Sequence, residues 1–107
     1  MRKPVLALLA AVTVAACSNT EDRVLFDGIY FRSKATKIDK EQPQSFTVTV
    51  NGFSESADGA REAGRYEGTR YCITNYGTSN IDWLQGPDDE QLVVEDDKLL
   101  LAGTCKP

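Results

Sequence analysis

Strict alternation of apolar and polar side chains in residues 45–50 indicates a half-buried strand. Phe46, Val48 and Val50 would share one face of that strand, and the threonines between them would share the other. One face can then enter a core while the opposite face stays in water. The segment therefore predicts one strand of an antiparallel sheet.

Two segments before that strand have less regular patterns. Residues 24–31 combine aliphatic and aromatic side chains, which favour extended structure, so we expect a strand with Gly28 as a bulge. Residues 33–44 are mostly charged and polar, and they indicate a loop that includes frayed strand ends at most.

The carboxyl-terminal third of the chain predicts about three further strands. Ile81 and Trp83 alternate with a polar residue and indicate a strand that ends near Gly86. Residues 92–95 and 98–102 flank two consecutive aspartates, a pattern typical of a tight hairpin.

Residues 56–76 differ because their small and apolar side chains recur at helical intervals. The stripe consists of Ala60, Gly64, Gly68 and Cys72. Ser54 or Ser56 can cap the start of this helix, and Gly77 can end it in a left-handed conformation. The two glycines also match a motif of membrane helix pairs, but the charged residues around them exclude a lipid environment. We expect the thin stripe to let the helix lie close to a sheet.

These elements together predict an α+β fold. Its sheet would be mostly antiparallel with about 4–5 strands, and one helix, at about 56–76, would pack on one face. We expect residues 24–107 to form a single small domain, and residues 17–23, which contain no large apolar side chain, to be a tether at its amino-terminal end.

The first 16 residues have the order of parts of a secretory signal. Arg2 and Lys3 provide a basic start, and an apolar run follows them. That run would cover roughly 18 Å as a helix, short of the ~30 Å hydrocarbon core of a bilayer. It therefore directs export of the chain and does not span a membrane.

The segment ends in Val14-Ala15-Ala16-Cys17, which resembles the lipobox of bacterial lipoproteins. The resemblance implies cleavage between Ala16 and Cys17, a diacylglycerol on the Cys17 thiol, and an N-acyl chain such as palmitate on its amino group. It implies no other cofactor. The alternative is an ordinary secretory signal with an incidental cysteine. The chain also resembles small uncharacterised bacterial lipoproteins whose single helix carries a Tyr-Cys pair near its end, here Tyr71-Cys72, and this resemblance implies no activity.

Processing at Cys17 would leave 91 residues with ten basic and sixteen acidic side chains. Its net charge of −6 would repel the phosphates of nucleic acid, so we do not expect the mature chain to bind it. In lipoproteins, a residue other than Asp after the lipidated cysteine usually implies export to the outer membrane, and Ser18 stands there. We expect a lipid-anchored protein in the bacterial cell envelope, at the outer membrane and facing the periplasm.

Cys72 and Cys105 remain once Cys17 is assigned to lipid. An even number of cysteines in an oxidising compartment favours a structural disulfide between them. Two buried free thiols or a redox-active pair are the alternatives, but the sequence has no Cys-x-x-Cys motif.

The chain contains no histidine, which removes the usual general base and the commonest metal ligand. We therefore assign no catalytic residue and no metal site, and we expect a non-catalytic structural or binding role. The partner would be an envelope protein or peptidoglycan. The alternative is a small carboxylate-dependent hydrolase or another envelope enzyme.

Four groups of side chains remain as weaker candidates. Acidic residues at 88–90 and 95–97 could offer oxygen ligands to calcium, or they could be solvated turns. Asp27 lies among apolar residues in the sequence. A basic patch could touch lipid headgroups or simply keep a loop soluble: Arg32, Lys34, Lys37 and Lys40. A set of aromatic residues could bind a partner, although a role in the core is the simpler interpretation: Tyr66, Tyr71, Tyr76 and Trp83.

Overall fold

The computed structural model describes residues 23–107, which form one helix and seven strands. In chain order the elements are β1 (Leu25–Phe26), β2 (Ile29–Tyr30), β3 (Ser33–Asp39), β4 (Gln42–Asn51), a 3₁₀ turn (Phe53–Glu55), α1 (Ala57–Tyr76), β5 (Ile81–Gln85), β6 (Val93–Glu95) and β7 (Lys98–Cys105). All strand pairs are antiparallel. The predicted α+β class is confirmed, and the predicted signal peptide, Cys17 and most of the tether lie outside the described residues.

The main sheet has five strands in the order β3-β4-β7-β5, with β6 also paired to β7. β5 pairs with the second half of β7 and β6 pairs with the first half, so both lie along the same side of that strand. Residues 86–92 separate them. β5 and β6 therefore act as one edge strand that a loop interrupts.

The hairpin between β6 and β7 confirms the turn expected at two aspartates. Asp96 and Asp97 have φ values of 53° and 62°. Consecutive positive φ values are typical of a type I′ turn, whose twist suits a two-residue hairpin connection. Asp97 also accepts hydrogen bonds from the backbone nitrogen of Ser54 at 2.8 Å and from its hydroxyl at 3.0 Å.

The single strand predicted for residues 24–31 is wrong, because the chain reverses within it. Leu25 pairs with Tyr30 and Phe26 pairs with Ile29, which makes a separate two-stranded hairpin. The turn has φ values of 57° at Asp27 and 75° at Gly28. An Asp-Gly pair between apolar residues is a strong hairpin signal. Two consecutive positive φ values reverse the chain direction, whereas the predicted bulge would have kept a single strand.

The loop predicted for residues 33–44 is also wrong, since β3 and the start of β4 occupy it. β3 is an edge strand, and its register pairs Lys34 with Thr49 and Thr36 with Thr47. An edge strand needs little apolar surface of its own, and lysines there discourage pairing with another chain. The polar composition therefore conceals a strand. Residues 45–50 form part of β4, as expected.

The helix begins and ends where its capping residues predict. Ser56 is the N-cap, and its hydroxyl accepts a hydrogen bond from the backbone nitrogen of Gly59 at 2.9 Å. Gly77 ends the helix with a φ of 69°, and its backbone N–H bonds the carbonyls of the last turn. These caps satisfy donors and acceptors that a helix end leaves open.

The predicted stripe of small residues is buried against the sheet. A Cβ atom built on Gly64 would lie 2.5 Å from Cδ1 of Leu101, and one built on Gly68 would lie 2.7 Å from Cη2 of Trp83. Real Cβ atoms do not approach other atoms so closely. Glycine at both positions lets the helix lie directly on core side chains, of which the sheet contributes Phe46, Val48, Val50, Leu99 and Leu101.

The disulfide predicted between Cys72 and Cys105 is present, with Cα atoms 5.5 Å apart and a sequence separation of 33. It joins the last part of the helix to the end of β7. Both cysteines are buried in the core. The bond therefore fixes the last turns of the helix to the sheet.

Candidate binding site

The acidic runs proposed as calcium ligands have protein partners in the structure. The carboxylate of Asp88 accepts hydrogen bonds from Arg65 at 2.7 and 3.0 Å. The carboxylate of Asp89 accepts one from the backbone nitrogen of Gly86 at 3.0 Å. Within residues 23–107, no group of three or more metal-ligating side chains comes together. Each run instead holds its own loop in place.

The Arg65–Asp88 pair ties the loop between β5 and β6 to the helix. The hydrogen bonds from Arg65 hold the pKa of the Asp88 carboxyl below its ordinary value. They also raise the pKa of Arg65, with a further contribution from Glu62. A guanidinium nitrogen of Arg61 also donates a hydrogen bond of 3.2 Å to the backbone carbonyl of Pro87, which is a second contact between this loop and the helix. These contacts hold the loop against the helix.

The four basic residues proposed as a patch are exposed, but the strand does not gather them on one surface. Lys34 lies opposite Thr49, on the face of the sheet away from the helix. Lys37 lies opposite Phe46, on the face that packs on the helix. Because alternate residues of a strand point to opposite faces, a spacing of three separates the two ammonium groups.

Asp27, which the sequence places among apolar residues, is exposed at the turn of the first hairpin. Its carboxylate accepts a hydrogen bond of 2.7 Å from the hydroxyl of Ser56. That hydroxyl also caps the helix. Asp27 therefore joins the hairpin to the helix start.

The aromatic candidates divide between core and surface. Phe46 packs against Tyr71 with ring centroids 5.0 Å apart and against Trp83 with centroids 5.7 Å apart. Burial raises the pKa of the Tyr71 hydroxyl, and the neighbouring Tyr76 raises it further. Tyr71, Tyr76 and Trp83 therefore pack against the core, as expected. Tyr66 differs, because 43% of its surface is exposed.

Tyr66 belongs to an open cavity of about 450 Å³ between the first hairpin, β3 and the helix. We call it the aromatic groove and define it by four rings and one ion pair: Phe26, Tyr30, Phe31, Tyr66, Glu67 and Arg70. The rings of Phe26 and Tyr66 are 5.6 Å apart and inclined by 55°. A guanidinium nitrogen of Arg70 lies 3.4 Å from a carboxylate oxygen of Glu67.

The groove continues along the helix beside β3. A smaller cavity of about 150 Å³ shares Glu67 and Arg70 with it and reaches Ala35, Thr74 and Asn75. Within the described part of the chain, β3 pairs only with β4, so its outer edge adjoins this cavity without another strand. A cavity lined by aromatic rings together with Arg23, Glu67 and Arg70 suits an aromatic or aliphatic side chain that carries a polar neighbour.

Sequence reasoning missed this groove. Three of its rings lie in the segment interpreted as one strand, whereas the hairpin brings all three to one cavity beside the helix. The Asp27-Gly28 pair was the available signal for that reversal.

Comparison with known proteins bears on the amino-terminal segment. The family model for the prokaryotic membrane lipoprotein lipid attachment site matches residues 1–18. This chain is a bacterial lipoprotein with a lipobox. The match includes the four residues that resemble a lipobox, and it supports anchoring of the lipoprotein to a membrane through lipid. Lipidation at Cys17 and cleavage after Ala16 stay predictions.

No curated protein and no solved structure matches this lipoprotein. No helix in residues 23–107 is long and apolar enough to cross a membrane. No match therefore assigns a role to the residues of the aromatic groove.

Proposed function

We propose that this lipoprotein is a non-catalytic binding protein held by its lipid at the periplasmic face of the outer membrane. The observation that carries the proposal is the aromatic groove, with four rings and an arginine–glutamate pair around one open cavity. Aromatic residues and arginine are enriched where proteins bind one another.

The partner we favour is an extended segment of another envelope protein. In residues 23–107 no strand other than β4 pairs with β3, which leaves its outer edge beside the groove, and extended peptides bind by adding a strand to such an edge. The groove would then accept one side chain of that segment, while Arg70 or Glu67 would bind a polar neighbour. A glycan strand of peptidoglycan would not use the strand edge in this way.

A binding role is supported over catalysis by the chemistry of the side chains. The sequence lacks histidine, and several carboxylates hold turns and loops, including those of Asp27, Asp88 and Asp97. Hydrolysis by a carboxylate pair needs two acids facing each other across a cleft. The aromatic groove has one carboxylate, Glu67, and it is paired with Arg70.

Photo-crosslinking in intact cells tests the proposal. A benzophenone amino acid placed at Tyr66 should give a discrete adduct with one envelope protein, which mass spectrometry then identifies. Leu84 is the matched control, because it is 84% exposed and lies on β5 at the other edge of the sheet. A reagent that reacts merely by exposure would label more at position 84 than at position 66.

Two results would contradict the proposed partner. Identical adducts at positions 66 and 84 would mean that the groove has no selective partner. An adduct at position 66 that muramidase digestion removes would mean that peptidoglycan is the ligand, and a protein segment is not.

A further inference from the structure

The outer face of the first hairpin is apolar, although it faces solvent. Leu25 and Tyr30 are register partners on β1 and β2, and they are 57% and 47% exposed. Their neighbours Phe26 and Ile29, also partners, pack against the core on the other face. Antiparallel strands at a surface normally alternate apolar residues inside with polar residues outside. This hairpin is apolar on both faces.

Val24 extends the exposed apolar surface to the residue before β1, where it is 41% exposed. The guanidinium of Arg23 stands over the ring of Tyr30 at 4.8 Å from its centroid. Tyrosine and arginine combine an apolar body with a polar tip, which suits the boundary between lipid and water. The carboxylate of Asp27 is held by Ser56 at the helix start.

The position of this hairpin in the chain limits its distance from lipid. Five residues separate the predicted attachment point at Cys17 from Arg23. A chain of that length reaches about 20 Å when fully extended. If the lipid is attached at Cys17, the first hairpin is thus the part of the fold that the anchor holds nearest to the bilayer.

We propose that Val24, Leu25 and Tyr30 lie in the interfacial layer of the membrane that holds the anchor. The lipid surface covers the apolar outer face of the hairpin, which would otherwise stay in water. Insertion of these side chains adds a second contact to the acyl chains and gives the domain a preferred orientation. It also brings the rim of the aromatic groove, where Tyr30 lies, to the membrane surface.

Fluorescence quenching by lipid tests this contact. Leu25→Cys supplies a thiol for an environment-sensitive dye, because the predicted lipid and the disulfide occupy the native cysteines. The labelled mature lipoprotein is reconstituted in phosphatidylethanolamine–phosphatidylcholine vesicles that contain lipids with a quencher near the headgroup. Leu84→Cys is the matched control, because it is also an exposed leucine on a strand.

Quenching of the dye should be several-fold stronger at position 25 than at position 84. Adding Tyr30→Asp should reduce the quenching at position 25, because it places a charge beside the label, whereas adding Asp82→Asn should not. Equal quenching at positions 25 and 84 would overturn the proposal. A dye at position 25 that is shielded equally in detergent and in vesicles, without lipid quenching, would overturn it too and assign the surface to a second copy of the chain.

Discussion

Gly68 occupies the closest contact between the helix and the aromatic part of the core. A methyl group at this position would meet Trp83 at 2.7 Å and Phe46 at 3.2 Å. Both neighbours are rings that pack on each other, so neither can move without disturbing the other. The absence of a side chain at residue 68, as at residue 64, therefore keeps the helix close to the sheet.

Gly68→Ala should destabilise the fold by about 1 kcal/mol. Overpacking costs about 1–3 kcal/mol, and this exceeds the gain of about 1 kcal/mol in helix propensity. Chemical denaturation measures the change in the free energy of unfolding. Thr74→Ala is the control, because Thr74 is exposed on the same helix and alanine there only improves propensity. A Gly68→Ala protein as stable as the Thr74→Ala protein would contradict the packing argument.

Asp88 gives a second prediction at the scale of single residues. Its pKa is lowered by hydrogen bonds from Arg65, so the pair stabilises the fold above the ordinary pKa of aspartate. That contribution is lost as the pH falls through the lowered pKa. Asp88→Asn should therefore lower the Tm slightly at neutral pH, and the difference from the native chain should close in acid.

Glu90→Gln provides the control for charge alone, since it removes a negative charge from the same exposed loop. Thermal unfolding followed by circular dichroism at a series of pH values gives both comparisons. A Tm difference for Asp88→Asn that stays constant from neutral to acid pH would refute the role of the ion pair.

At the scale of elements, the disulfide gives the helix a covalent link to the sheet. It joins α1 to β7 across a separation of 33 residues. Replacing both Cys72 and Cys105 by alanine should lower the free energy of unfolding by about 3 to 4 kcal/mol, because the unfolded chain regains the freedom that the loop removed. Denaturant titration of the oxidised native protein and the double variant measures this loss.

Reduction of the native protein is the matching control, since it breaks the bond without changing a residue. The reduced protein should approach the stability of the double variant. If both proved as stable as the oxidised protein, the bond would contribute nothing to the fold.

The elements that depend on local periodicity could be predicted from the sequence. The helix with its caps, the alternating residues 45–50 and the hairpin at Asp96 are confirmed because each signal lies within a few consecutive residues. β3 could not be predicted in this way, since β4 supplies the apolar surface beside it. The aromatic groove could not be predicted from local periodicity either, because it forms where rings near residue 30 meet the helix near residue 66.

At the scale of the whole molecule, the lipid attachment site determines where the folded part works. Cys17→Ser removes the only thiol in the predicted lipobox, so the protein should leave the membrane fraction. Ser18→Asp should keep the lipid but hold the protein in the inner membrane. Fractionation of cell envelopes on a density gradient, with immunoblotting, distinguishes the three locations.

Cys105→Ala with Cys72→Ala serves as a control for loss of cysteine in general, and it should remain in the membrane fraction. Full membrane association of an unprocessed Cys17→Ser protein would refute lipidation at that residue. An unchanged location of Ser18→Asp would refute the sorting interpretation only.

The two ends of the described chain lie at opposite ends of the sheet. The amino-terminal hairpin leads into Ser33, which sits beside Val50 and the start of β7, whereas β7 ends at Cys105. A pull between the membrane and the carboxyl terminus would thus run along the strands. It would load the hydrogen bonds from β4 to β3 and β7 in shear, all at once, while the bond to Cys72 passes part of the tension to the helix.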